Sequence, residues 1–150
     1  MEYEENYIET PPLVGPRPVG QLAEVAAGAY TDIVNIIARA SAKYGDKVDV
    51  TVKIKNLASY TIYIAATGHY NGVDIAFIPD YAAVGAGETY SFTKSFTMPN
   101  KSIRLHVWSW FWIGTDWYQD DYEYVDIALS APAVPEPEFS GFAVSDYSTV

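Results

Sequence analysis

The sequence predicts an all-β fold, one antiparallel sandwich of about seven short strands with extended N- and C-terminal arms. Three observations predict it. In Gly45–Asn56, GDKVDVTVKIKN, the residues Val48, Val50, Val52 and Ile54 alternate with Asp49, Thr51, Lys53 and Lys55, the two-residue period of a strand with one buried face. The chain holds thirteen Tyr, six Phe and four Trp, and aromatic and β-branched residues are the types that suit a pleated, half-buried surface. Short strand-like runs follow one another between Gly, Pro and Asn turns, which is how an antiparallel sandwich is written.

Residues 1–29 form the first arm. Pro11, Pro12, Pro16 and Pro18 each fix φ and remove a backbone donor, so neither a helix nor a central strand is expected there. Gln21–Ala29 has modest helical character, too short and too interrupted by glycine to count as more than a loop or one turn. The sandwich is expected over 30–131. Thr31–Tyr44 is ambiguous: Ile33, Ile36, Ile37 and Ala40 fall at helical spacing with Gly45 as a stop, but the β-branched cluster Ile33, Val34, Ile36 and Ile37 favours a first strand over Thr31–Ala38.

After the Gly45–Asn56 strand, turn-prone Asn56–Ser59 leads into an alternating strand over Tyr60–Tyr70. Asn71-Gly72 then marks a tight hairpin, because these two residues accept the positive φ of a type I′ turn. Val73–Ile78 follows and Pro79-Asp80 stops it. A loop through Gly85-Ala86-Gly87 feeds Glu88–Met98, with Tyr90, Phe92 and Phe96 on one face. Ser102–Trp112 places Ile103, Leu105, Val107 and Phe111 on one side and Arg104, His106, Trp108, Trp110 and Trp112 on the other, so both faces read as occupied. Gly114 lies in the next turn, and Trp117–Leu129 returns with Val125, Ile127 and Leu129 alternating with Tyr124, Asp126 and Ala128. From Pro132 to Val150 the second arm carries Pro135 and Pro137, then Phe139 and Phe142 in a polar setting. Pro-rich extended segments lose little further entropy on docking, which suits both arms to contacts between subunits; the same composition equally suits disordered tails.

One domain of 150 residues buries roughly two thirds of its unfolded surface without a metal or a disulfide. Nine Lys+Arg against nineteen Asp+Glu give a formal charge of −10, which repels a phosphate backbone and an anionic membrane surface, so neither nucleic acid nor membrane is an expected partner. The longest apolar stretch, Leu105–Ile113, is far shorter than the ~20 residues of a spanning helix. The acidic, proline-broken start lacks the cationic and apolar regions of a secretion signal. There is no cysteine.

Trp108, Trp110, Trp112 and Trp117 are the sharpest surface candidate: three alternate positions on one strand and a fourth across the hairpin would make a flat aromatic platform for a sugar ring or another protein. The competing expectation, that they fill the sandwich or are covered by an arm, is favoured because large aromatics are mostly buried. Asp116, Asp120, Asp121, Glu123 and Asp126 cluster near the same hairpin. Their spacing matches no calcium loop, and a solvated edge that discourages strand-to-strand aggregation is the expected role. His69 and His106 are the only histidines. With no nucleophile elbow, Gly-rich phosphate loop or metalloprotease helix, no catalytic, metal or cofactor site is expected, and the chain reads as a non-enzyme.

The Gly45–Asn56 strand, a middle of roughly thirty residues, and VGAGETYSFTKSFTMPNKSIRLHVWSW together resemble the cell-adhesion-related (CARDB-like) branch of immunoglobulin-like β-sandwiches. That family carries a Gly-Asp/Glu-x-Val-x-Val-x-Val-x-Val-x-Asn strand followed by a Gly-Glu/Gln-Thr turn. Gly45, Asp46, Val48, Val50, Val52, Ile54 and Asn56 match the first part, and Gly87, Glu88 and Thr89 the second, over about Thr31–Leu129. The resemblance implies a non-catalytic spacer or adhesion module, found on microbial surfaces and in similar form on virus particles, with no catalytic residues to carry over. Surface members usually occur as tandem repeats behind a signal peptide, whereas this chain reads as one module with flanking arms. The expectation is therefore a virion or surface component of decoration, fibre or tail type whose partners are other protein subunits, either further copies or a shell protein. A glycan is the alternative partner, through the tryptophans.

Overall fold

The computed structural model describes residues 28–112 and 114–130. The arm residues Pro11, Pro12, Pro16, Pro18, Pro135, Pro137, Phe139 and Phe142 lie outside the described residues. Within them the chain is all β, in nine strands: β1 (Thr31–Ile37), β2 (Ser41–Ala42), β3 (Lys47–Asn56), β4 (Ile62–Tyr70), β5 (Val73–Ala76), β6 (Ala82–Val84), β7 (Thr89–Thr97), β8 (Ile103–Trp112) and β9 (Trp117–Leu129). They form a three-stranded sheet in the order β1-β3-β7 and a six-stranded sheet in the order β2-β9-β8-β4-β5, with β6 also on β4. Every pairing is antiparallel except the short parallel one between β2 and β9.

Seven of the nine strands are the seven expected from the sequence. β2 and β6 are additions, at two and three residues too short to show a period. β1 is a strand, so the helical reading of Thr31–Tyr44 is wrong; a bulge at Val34, between the pairs Ile33↔Ile54 and Asn35↔Lys53, is what moves its isoleucines onto a helix-like spacing. Asn71 and Gly72 both have positive φ, 48° and 76°, as a type I′ turn requires. The face expected of β7 is partly kept: Phe92 is buried and Phe96 packs against the core, but Tyr90 is exposed.

The core lies between the sheets. Val48, Val50, Val52 and Ile54 from β3 meet Ile62, Ile64, Ala66 and Tyr70 from β4 and Ile103, Leu105, Val107 and Phe111 from β8, with Phe77, Phe92, Met98 and Ile127 filling the ends. Burying each such aliphatic side chain contributes about 1.5–3 kcal/mol, which makes this alternation the main source of stability. The chain passes from one sheet to the other between Phe77, whose N–H donates to Ala66 of β4, and Ile78, which exchanges two backbone hydrogen bonds with Thr93 of β7.

Asn56 ends β3 fully buried. Its Nδ2 donates to the carbonyls of Tyr60, Val84 and Gly85 at 2.8, 2.9 and 3.2 Å, and its Oδ1 accepts from Ala58 N–H at 2.8 Å. Its main chain pairs with the Gly87-Glu88 turn, Asn56 N–H donating to Glu88 and Gly87 N–H donating to Asn56. The Asn of the first sequence motif and the Gly-Glu of the second therefore touch, and one amide ties together the loops that follow β3 and β6. Asn56→Ala leaves three carbonyls without this donor and is expected to cost about 2–4 kcal/mol. Asn56→Asp, which replaces the donor with a second acceptor, is expected to cost at least as much; urea denaturation of the two variants checks the order.

Candidate functional site

Alternation along β8 sends Ile103, Leu105, Val107 and Phe111 inward and Arg104, His106, Trp108, Trp110 and Trp112 to the outer face of the six-stranded sheet, as the sequence pattern anticipates. On that face Trp108, Trp110, Trp117 and Ala65 form a second buried cluster, with Tyr63, Tyr81, Trp112 and Tyr122 packed against it. Trp110 Nε1 donates to Thr67 Oγ1 at 2.8 Å, and Trp112 meets Trp117 edge-on at a ring separation of 5.5 Å. The four tryptophans are thus brought together, but Trp108, Trp110 and Trp117 are 0%, 5% and 7% exposed and Trp112 is only half-buried. This corrects the platform reading: an open stacking surface needs exposed ring faces, and three of the four indoles are enclosed.

Next to the aromatic cluster runs a polar row. Asp74 of β5, His69 of β4, His106 of β8 and Tyr124 of β9 are successive cross-strand partners. His69 Nδ1 lies 2.6 Å from Asp74 Oδ1, and His106 Nδ1 lies 2.6 Å from the Tyr122 hydroxyl. His106 also stacks with Trp108 and Tyr122, at centroid distances of 6.1 and 5.8 Å. Burial, and then the neighbouring His69 and Arg104, hold His106 below the ordinary histidine value against the pull of Asp126. Arg104 makes a two-pronged contact with Asp126, at 2.8 and 3.1 Å, and lies over the Tyr124 ring. The histidines stand out in the sequence only as the chain's two; their meeting depends on the β4–β8 register, which no local pattern encodes.

The acidic cluster divides. Asp126 is exposed and paired, and Asp116 accepts from Trp117 N–H. Asp120 and Asp121 are not the solvated edge that the sequence suggests. Two register pairs, Trp108↔Tyr122 and Trp110↔Gln119, leave Ser109 facing both Asp120 and Asp121, a bulge that turns both carboxylates toward β1. Asp120 accepts from the N–H groups of Ala29, Tyr30 and Thr31 at 2.9, 3.1 and 2.7 Å and from the Thr31 hydroxyl at 2.6 Å. A Cβ on Gly28 would collide with that carboxylate, so a larger residue there would have to displace it from these donors. Asp121 accepts from Ile33 N–H at 2.8 Å and Tyr122 N–H at 2.9 Å and is fully buried. Among the described residues no group of three or more His, Cys, Asp or Glu is placed to hold a metal, and no helix is long and apolar enough to cross a membrane.

No family model and no curated protein matches the chain. Among solved structures, the CARDB domain of a Pyrococcus furiosus protein in complex with di-metal ions aligns over 72% of this chain and 95% of its own at a TM-score of 0.50 and 12% identity. The fold is CARDB-like. An alkylpurine DNA glycosylase from Pseudomonas fluorescens bound to DNA containing an abasic-site analogue aligns over 67% of this chain and 31% of its own, with a TM-score of 0.45 and 12% identity. A Niemann-Pick type C2 protein from the Japanese carpenter ant aligns over 71% and 98%, with a TM-score of 0.41 and 13% identity. In this CARDB-like body the residues that carry the sequence resemblance, Asn56 with Gly87 and Glu88, are structural.

Burial first, and then Asp32 and Glu123, push the Asp121 carboxyl above the ordinary carboxylate range, against the two N–H donors that lower it. A group whose folded pKa is raised contributes stability below its unfolded value and loses it as pH rises through the folded one. The stability of the wild type minus that of Asp121→Asn is therefore expected to fall as pH rises from the ordinary carboxylate range through the raised folded value, and then to level off. Chemical denaturation of both proteins across that range checks it; a flat or rising difference contradicts it.

Proposed function

We propose that this protein is a non-catalytic structural or adhesion module that engages neighbouring protein subunits through its two proline-rich terminal segments, as a decoration, fibre or tail component of a virus particle. The observation that carries the reading is that the six-stranded sheet is filled on both faces, by the aliphatic core inside and the tryptophan cluster outside. The polar groups nearest that cluster are engaged in cross-strand pairs, as a rigid body requires. The surface hollow between β1 and β9, about 320 Å³ and lined by Ile33, Asn35, Glu123 and Val125 among others, gathers no acid and base about a shared point. A body with this distribution offers a scaffold, and residues 1–27 and 131–150 lie outside the described residues.

The proposal is tested by native mass measurement of the full chain and of chains lacking residues 1–20 or 132–150. The full chain is expected to form a defined oligomer, alone or on a shell protein, and each truncation to give a folded monomer. Truncated chains that assemble like the full one would overturn the role given to the terminal segments.

A further inference from the structure

The row across the outer face is a chain of four partners in which the two central members are imidazoles. β5 and β9 lie on opposite sides of the β4–β8 pair. Asp74 on β5 therefore draws the Nδ1 of His69 outward in one direction, and Tyr122 on β9 draws the Nδ1 of His106 outward in the other. In an imidazole the Nδ1 and the Cδ2–Nε2 edge lie on opposite sides of the Cβ–Cγ bond, so turning each Nδ1 outward turns each Nε2 edge inward, toward the other ring. Directly opposed residues of an antiparallel pair hold their Cβ atoms about 4.5–5.5 Å apart, close enough for two imidazoles to reach one ion with bonds of about 2.0–2.1 Å.

The protonation pattern agrees with this geometry. A carboxylate can only accept, so the contact with Asp74 places a proton on Nδ1 of His69, and in the neutral ring the lone pair is then on Nε2. The Tyr122 oxygen can accept from His106 Nδ1–H in the same way. A carboxylate or other acceptor on the non-ligating nitrogen is the usual support of a metal-binding histidine, fixing both tautomer and ring plane. Stacking with Trp108 and Tyr122 further fixes the plane of His106, and the His69 side chain is 20% exposed, enough for an ion to enter from solvent.

We propose that His69 and His106 bind one divalent transition-metal ion of the zinc, nickel or copper class through their Nε2 atoms, with water completing its coordination. Asp74 and Tyr122 are positioning residues. Two nitrogen donors without a converging carboxylate select ions that take imidazole over calcium and magnesium, which require oxygen. Arg104, Asp126 and Tyr124 border the row and leave the two rings as its ligands.

The test uses the full chain without an affinity tag and zinc or nickel chloride as the only added metal, followed by calorimetry and by NMR of the histidine ring nitrogens. Saturable one-to-one uptake at sub-millimolar metal is expected, with the Nε2 resonances of both rings shifting together. His69→Ala and His106→Ala are each expected to weaken uptake at least ten-fold and Asp74→Ala by about 10–100-fold. Uptake is also expected to weaken on acidification through the histidine range. Absence of saturable uptake, uptake unchanged in both histidine variants, or perturbation of one ring without the other would each overturn the proposal. The ring resonances of the unsubstituted protein distinguish these outcomes even if a variant fails to fold.

Discussion

Two carboxylates hold the sandwich together at the edge where its sheets would otherwise part. β1 pairs with β3 along one side only; its other side faces β9, which belongs to the opposite sheet. An unpaired row of N–H groups in that position is costly when buried. The bulge on β9 opposite Ser109 supplies the acceptors: Asp120 takes three successive N–H groups and a hydroxyl where the chain enters β1, and Asp121 takes the N–H of Ile33 further along. The Ser109 hydroxyl completes the joint, sharing a hydrogen bond of 2.6 Å with Thr31 and accepting from Asp121 N–H at 2.9 Å. Burial penalises the Asp121 charge, and its N–H donors offset part of that penalty.

The same bulge divides β8 and β9 into two functional halves. On the inner side the chain delivers aliphatic residues to the core and carboxylates to β1. On the outer side it delivers an aromatic cluster beside a polar row of imidazoles, a phenol, carboxylates and a guanidinium. A sheet occupied on both faces is stiff, and it presents a fixed pair of imidazoles. The proposed assembly role and the proposed metal site are thus separate readings of one body, the first resting on the terminal segments and the second on the β4–β8 register.

The strands that are legible in the sequence are those whose burial follows their own pleat. β3 alternates from Val48 to Ile54 without exception, and the turn residues Asn71, Gly72 and Gly87 have the positive φ their identities suggest. What is not legible depends on distant partners. Val34 bulges out of β1, so the isoleucines on either side mimic a helix. Ala82–Val84 becomes a strand because β4 has an edge to pair with, and its own three residues carry no signal. Asp120 and Asp121 resemble any acidic hairpin until Gly28–Ile33 is placed against them. The alternation of Trp108, Trp110 and Trp112 assigns them to one face, yet whether that face is open or enclosed is a property of tertiary packing.

Hydrogen exchange at the backbone amides of Thr31 and Ile33 tests the carboxylate joint most directly. Both amides donate to the Asp120 and Asp121 side chains and not into the β3 ladder, so any protection they show reports that joint. If the joint holds the sheets together, these two amides exchange as slowly as those of the β3–β7 ladder, through global unfolding alone. Exchange at both positions near the rate of an unstructured peptide, with the β3–β7 ladder still protected, would contradict the account.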